Sequence, residues 1–149
     1  MRQRSSAMLM LFILLVSGVL LITSCAENQN GAPGQETPIQ IIQDITPQEA
    51  FTLIKENTDN SDFIIIDVRT PNEFTDGYIK DAINMDFMSD EFRDNIGKLD
   101  RDRTYLIYCR TANRSRGAVD IMEELRFQSL YHMLGGITQW ENDGLPVIQ

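Results

Sequence analysis

Seven consecutive residues carry most of the chemistry legible in this chain: Cys109, Arg110, Thr111, Ala112, Asn113, Arg114 and Ser115, with Arg116 directly after them. The cysteine closes an apolar run, Tyr105-Leu106-Ile107-Tyr108. An amphipathic pattern, Ala118, Ile121, Met122 and Leu125, follows shortly after. A thiol at the point where a strand ends and a loop curls into a helix N-terminus meets successive backbone N–H groups, which form an anion cradle. Three of the 11 cations that follow residue 24 fall within residues 110–116. Cations oppose the helix macrodipole at that end, so their presence fits a negative occupant: a thiolate, a bound oxyanion, or both. The chemistry open to such a loop is covalent catalysis by sulfur.

A free cysteine has a pKa near 8.5, so only about 3% is thiolate at pH 7. Lowering that value by about two units gives roughly three quarters thiolate and requires about 2.7 kcal/mol. A helix end supplies about 0.3–1 kcal/mol, up to about 2 when partly buried. The balance is expected from N–H hydrogen bonds and the arginines, with no histidine needed. The bland alternative is a buried core cysteine. Against it stand the strand-end position and the polar residues that follow. Cys109 is also the one thiol left if the chain's other cysteine, Cys25, is modified.

Outside the loop, Asp67 ends the apolar run Phe63-Ile64-Ile65-Ile66 and is expected to be a structural hydrogen-bond acceptor. His132, the chain's one histidine, is expected mid-strand without a chemical role. Tyr108, Met133 and Trp140 are expected as core or pocket wall, Arg101 and Arg103 as loop charge pairs, and Asp120, Glu123 and Glu124 as a solvated helix face.

The elements that must position these residues alternate. Thr46-Pro47-Gln48-Glu49 is a capping box with proline at the first helical position, followed by the apolar face Ala50, Phe51 and Ile54. Residues 63–66 and 105–108 are continuous apolar runs of the kind buried on both faces of a parallel sheet. Residues 82–85 form a weaker strand, Phe92, Ile96 and Leu99 mark a helix, residues 130–134 form another strand before Gly135-Gly136, and residues 138–143 form a short helix closed by Gly144 and Pro146. The expected fold class is α/β, with a mostly parallel central sheet flanked by helices. The ligand site of such a sheet lies beyond the carboxyl ends of its strands.

The 149 residues suit one ordinary domain. Of the 13 cations, Arg2 and Arg4 precede residue 25, while all 22 acidic residues follow it, so the body carries 11 cations and 22 anions, a net of -11. Such a body repels nucleic acid phosphates. Two cysteines exclude a disulfide-rich scaffold and a four-cysteine zinc site; no metal and no cofactor are expected.

Residues 1–24 read as a targeting segment, with Arg2 and Arg4 ahead of a 16-residue apolar stretch, residues 7–22. Its end, Leu21-Ile22-Thr23-Ser24-Cys25, resembles the lipobox of bacterial lipoproteins, which implies lipidation at Cys25. An uncleaved anchor helix is the alternative, and either reading places the body at a membrane in the bacterial cell envelope, outside the cytoplasm. Acyl chains such as palmitate contribute about 0.8 kcal/mol per buried methylene. The expected organisation is thus a signal peptide at 1–24, the lipidated cysteine with a flexible, Asn-, Gln-, Gly- and Pro-rich tether at 25–44, and a domain at 45–149. The edge strand is expected to begin already within residues 39–42. Nineteen tether residues reach at most about 65 Å.

Four ordered segments give the body a family resemblance. Asp67-Val68-Arg69 with Glu73-Phe74, Gly77-Tyr78-Ile79-Lys80-Asp81-Ala82-Ile83-Asn84, Cys109-Arg110-Thr111-Ala112-Asn113-Arg114-Ser115, and Leu134-Gly135-Gly136-Ile137 with Trp140, Gly144 and Pro146 together resemble a single-domain rhodanese, a sulfurtransferase. The resemblance implies that the Cys109 thiolate takes the sulfane sulfur of a small sulfur-containing anion such as thiosulfate. A persulfide then forms in a loop lined by Arg110, Thr111, Ala112, Asn113, Arg114 and Ser115, with Arg110 and Arg114 stabilising the leaving sulfite. The sulfur passes on to a thiol acceptor or to cyanide. The resemblance also implies an Arg69–Glu73 ion pair beside the loop, and a monomer is expected. Tyr78 and Asp81 stand where the family commonly has His and Gly. Ala112 stands at a usual glycine position and is expected in an ordinary backbone conformation. Other readings are a persulfide carrier, a partner-docking module without turnover, and a cysteine-loop phosphatase or arsenate reductase. Cys109 to Arg114 is one residue tighter than the C-x5-R loop of the last group.

Overall fold

Two Thr-Pro-x-Glu segments start helices by the same means. The structure, a computed structural model, describes residues 39–149. In it the Thr46 side chain accepts from the Glu49 N–H and the Glu49 carboxylate accepts from the Thr46 N–H, opening α1 (Pro47–Glu56). Thr70-Pro71-Asn72-Glu73 repeats this box and opens α2 (Pro71–Thr75), an element that apolar periodicity passes over because it is one turn long. The leader, Cys25 and the tether up to residue 38 lie outside the described residues.

The strands are β1 (Ile41–Ile45), β2 (Phe63–Asp67), β3 (Ile83–Asn84), β4 (Thr104–Tyr108) and β5 (Ser129–Met133). All pair in parallel in the order β1-β5-β4-β2-β3. The remaining helices are α3 (Phe92–Ile96), α4 (Asn113–Glu124) and α5 (Gly136–Asn142). The α/β class and the parallel sheet are therefore as expected. β1 runs through residues that the sequence division gave to the tether: Ile41 to Asp44 pair in register with Ser129 to His132. β5 ends at Met133, one residue earlier than expected.

Both faces of the sheet are covered. One carries Ile66, Val68, Tyr105, Ile107 and Leu130 against Phe92 and Ile96 of α3 and Ala118, Val119 and Met122 of α4. The other carries Ile45, Ile65, Leu106, Tyr108 and Met133 against Ala50 of α1 and Ile137 and Trp140 of α5. The parity is that of an extended strand: along β4, odd positions face α4 and even positions face α5. The Trp140 ring is buried, and its indole N–H donates to the Pro146 carbonyl at 3.0 Å. Among the described residues no helix is long and apolar enough to cross a membrane.

Candidate active site

Cys109 follows β4 and keeps its odd-face parity, so its side chain turns beneath the start of α4 and joins the core on that face. It is 1% exposed. Among the described residues its one hydrogen bond comes from the Ser115 hydroxyl, Oγ to Sγ at 3.4 Å. This corrects the expectation of a thiol ringed by peptide amides, because strand parity aims Sγ at the first turn of the helix. The amide donors themselves are present. Among the described residues, the backbone N–H groups of residues 110–115 have no protein acceptor, as the first turn of a helix dictates.

The loop is held through its carbonyls. Cys109 O accepts from Ile137 N at 2.8 Å and Arg110 O from Thr138 N at 3.1 Å, so the first-turn amides of α5 anchor the loop from behind. Gly136, at φ +58°, makes this approach possible: a Cβ there would lie 2.4 Å from Cys109 O. The loop turns into α4 at Ala112, whose φ is +82°. The expectation of an ordinary conformation at Ala112 is thus overturned. The chain reverses within four residues of the strand end, and a left-handed residue accomplishes that, at about 1–2 kcal/mol for a side chain with a Cβ. Asp81, at another departure from the family pattern, is likewise left-handed at φ +65°.

The charged neighbours pair differently from the expected scheme. Asp67 is fully buried and accepts from Arg69 through the backbone N–H at 2.9 Å, Nε at 2.9 and 3.0 Å, and Nη2 at 2.7 Å. Arg69 Nη2 also donates to Gly77 O at 2.6 Å. Asp67 is the structural acceptor expected, but Arg69 does not pair with Glu73. Glu73 is instead turned by its place in the α2 capping box toward Arg114, which meets it at 2.6 and 2.7 Å. The Arg114 fork, against a small burial penalty, holds the Glu73 carboxyl down at about 2. Arg116 pairs with Asp44. Of the three loop arginines, Arg110 is exposed and forms no ion pair among the described residues. Thr111 and Asn113 are also exposed, at the rim.

One group has a place that sequence reasoning missed. His132 is 1% exposed and shares the α4 face with Cys109. Its Nε2 lies 2.9 Å from Ser115 Oγ and 3.2 Å from Ala112 O, and its Nδ1 lies 2.9 Å from Asp44 Oδ1. Parity carried the signal: His132 has the phase of buried Leu130. Yet the neighbour order β1-β5-β4 was needed to bring Asp44, His132 and Cys109 together. Among the described residues no group of three His, Cys, Asp or Glu side chains is arranged to hold a metal ion.

A family model for the rhodanese-like domain matches residues 46–143. A protein of Allochromatium vinosum described as a sulfurtransferase is 30% identical over 100 residues, covering 67% of this chain and 92% of that protein. The thiosulfate sulfurtransferase GlpE of Shewanella oneidensis is 30% identical over 76 residues, 51% of this chain and 73% of that one. Among solved structures, a rhodanese-related protein from Thermoplasma volcanium superposes with a TM-score of 0.59 at 30% identity over 71% of this chain and 97% of its own. A rhodanese-like domain protein from Staphylococcus aureus gives 0.56 at 28% identity, over 72% and 99%.

Proposed function

Because the chain belongs to the rhodanese-like domain family, we propose that it is a sulfurtransferase that carries a sulfane sulfur on Cys109. The observation that carries this reading is the thiol of Cys109 at the end of β4, 3.4 Å from the Ser115 hydroxyl, followed by a loop in which the backbone N–H groups of residues 110–115 have no protein acceptor among the described residues. Such amides suit a persulfide or an oxyanion, since each is a charge-assisted donor once an anion arrives. The sulfurtransferases among the relatives support the same class of reaction.

The chemistry balances in two displacements. The Cys109 thiolate attacks the outer sulfur of thiosulfate; a sulfur–sulfur bond forms to Sγ, the sulfur–sulfur bond of the donor breaks, and sulfite leaves with the electron pair. The outer sulfur of the persulfide is then attacked by a thiolate, or by cyanide in the test tube, and Cys109 departs as thiolate. This is ping-pong covalent catalysis. Arg110, at the exposed rim without an ion pair among the described residues, is the guanidinium best placed to receive the sulfite. Arg114 is engaged by Glu73 and serves to hold the loop.

Intact mass spectrometry after incubation with thiosulfate tests the reading. A gain of one sulfur mass, lost in Cys109→Ser, supports it; no gain in the native protein overturns it. Cyanide turnover separates an enzyme from a carrier that keeps its sulfur for one partner. We also infer a lipid anchor at Cys25, supported by the residue pattern of 21–25 after an apolar stretch, which would hold the domain on the outer side of a bacterial membrane. Incorporation of a palmitate analogue, abolished by Cys25→Ser, is its test.

A further inference from the structure

We propose that Ser115, His132 and Asp44 form a relay that takes the proton of the Cys109 thiol and holds the resulting thiolate in place. The proposal rests on the sulfurtransferase reading of the same cysteine. The relay runs across three adjacent strands and one helix turn: Cys109 Sγ to Ser115 Oγ at 3.4 Å, Oγ to His132 Nε2 at 2.9 Å, and Nδ1 to Asp44 Oδ1 at 2.9 Å. Cys109, Ser115 and His132 are each at most 1% exposed, so the path is closed to solvent until it reaches Asp44.

The partners decide the protonation pattern. A carboxylate faces Nδ1, so the proton of the neutral ring sits there and Nε2 is left to accept. In the thiol form Sγ–H donates to Ser115 Oγ, the reverse of the Oγ-to-Sγ bond of the thiolate form, and its proton moves to Oγ as the Ser115 hydroxyl proton moves to Nε2. An S–H and an O–H bond break, an O–H and an N–H bond form, and no electrons change hands. The ring is then doubly protonated. Nδ1–H donates to Asp44, Nε2–H to Ser115 Oγ and to the Ala112 carbonyl 3.2 Å away, and the Ser115 hydroxyl donates to the thiolate. In this state every group on the relay finds a complementary partner. Before the transfer, the Ser115 hydroxyl has one proton for two acceptors, Nε2 at 2.9 Å and the Ala112 carbonyl at 3.0 Å.

The charged and titratable groups around the ring are few. From β1 comes Asp44, and from α4 comes Arg116, which pairs with it. Cys109 follows β4, with the Arg114–Glu73 pair over the loop. Arg116 is the largest influence keeping the Asp44 carboxyl below its ordinary range, with the His132 hydrogen bond adding to it against partial burial. The carboxylate therefore stays ionised to receive Nδ1–H at neutral pH.

The chain has one histidine, so ring 15N signals of histidine-labelled, full-length protein need no assignment. Two coupled groups titrate as a pair. At neutral pH the ring 15N shifts of native protein are expected to lie further toward the doubly protonated form than those of Cys109→Ser. Identical ring shifts in the two proteins overturn the relay. The second readout is the pH profile of Cys109 alkylation. His132→Gln should slow it about tenfold near pH 7 and leave the high-pH plateau unchanged, because the thiolate fraction alone falls. An equal loss at every pH marks a merely structural histidine and also overturns the relay. Neither readout depends on sulfur transfer. Coupled titration without a thiosulfate mass gain would sink the sulfurtransferase reading alone, and the reverse result would sink the relay alone.

Discussion

Arg114 meets Glu73 as a two-point fork, Nη1 to Oε2 at 2.7 Å and Nη2 to Oε1 at 2.6 Å, joining residues 41 apart in sequence. The same Oε2 accepts from the Thr70 hydroxyl and N–H. One carboxylate thus caps α2 and pins the first turn of α4, so the cysteine loop is tied to the segment that follows the carboxyl end of β2. The planar guanidinium suits this task where an ammonium would not, since it supplies two parallel donors.

This pair predicts an acid transition. Glu73 stands near 4.5 in the unfolded chain and at about 2 in the fold. A depressed carboxyl contributes stability above its unfolded value and loses it as the pH falls toward the folded one. The shift corresponds to about 3 kcal/mol, which solvent at side chains 22% and 28% exposed screens to about 1–2 kcal/mol. Between about pH 4.5 and 2, native protein should lose that much more stability than Glu73→Gln, as read from urea midpoints across the range.

Arg69 is expected to be far less tolerant than Arg114. It is 6% exposed and sits against a fully buried carboxylate. Arg69→Ala strands Asp67 without its partner, and breaking a buried pair costs about 3–5 kcal/mol. Thermal denaturation should show the largest loss of any single arginine variant in the domain. A loss below about 1 kcal/mol would mean that Asp67 has other means of support.

Ala112→Gly should stabilise. At φ +82° the alanine methyl group costs about 1–2 kcal/mol, and the extra freedom of glycine in the unfolded chain returns about 0.4–1 kcal/mol of that. A net gain of about 0.5 kcal/mol in denaturant unfolding is expected, with persulfide formation retained.

Gly136→Ala should do the opposite. Its Cβ would stand 2.4 Å from Cys109 O and 2.5 Å from Arg110 O, both backbone atoms with no room to yield. The α5 amides would be pushed from the loop carbonyls they hold. We expect a loss above about 2 kcal/mol together with slower uptake of sulfur from thiosulfate. Normal uptake at normal stability would show that the anchor from α5 is dispensable.

Much of the frame was legible in the chain, because it depends on local order. The apolar runs at 63–66 and 105–108, the Thr46–Glu49 box and the phase of the helix after Cys109 each follow from neighbours a few residues apart. So does the placement of Cys109 at a strand end before a helix. Strand parity could have gone further, placing Cys109 on the face of Ile107 and His132 on the face of Leu130. What the chain alone left open was every partnership across distance. Glu73 had Arg69 within one helical turn, yet its partner is Arg114, because the α2 cap turns the carboxylate toward α4. Asp44 belonged by composition to a tether, yet it lies in register with His132, because β1 adds to the sheet beside β5 rather than beside β2. Side-chain alternation is a property of one strand, whereas the order of strands is chosen by the packing of the whole sheet. That order alone brings a carboxylate, an imidazole and a thiol from three separate stretches of sequence onto one face.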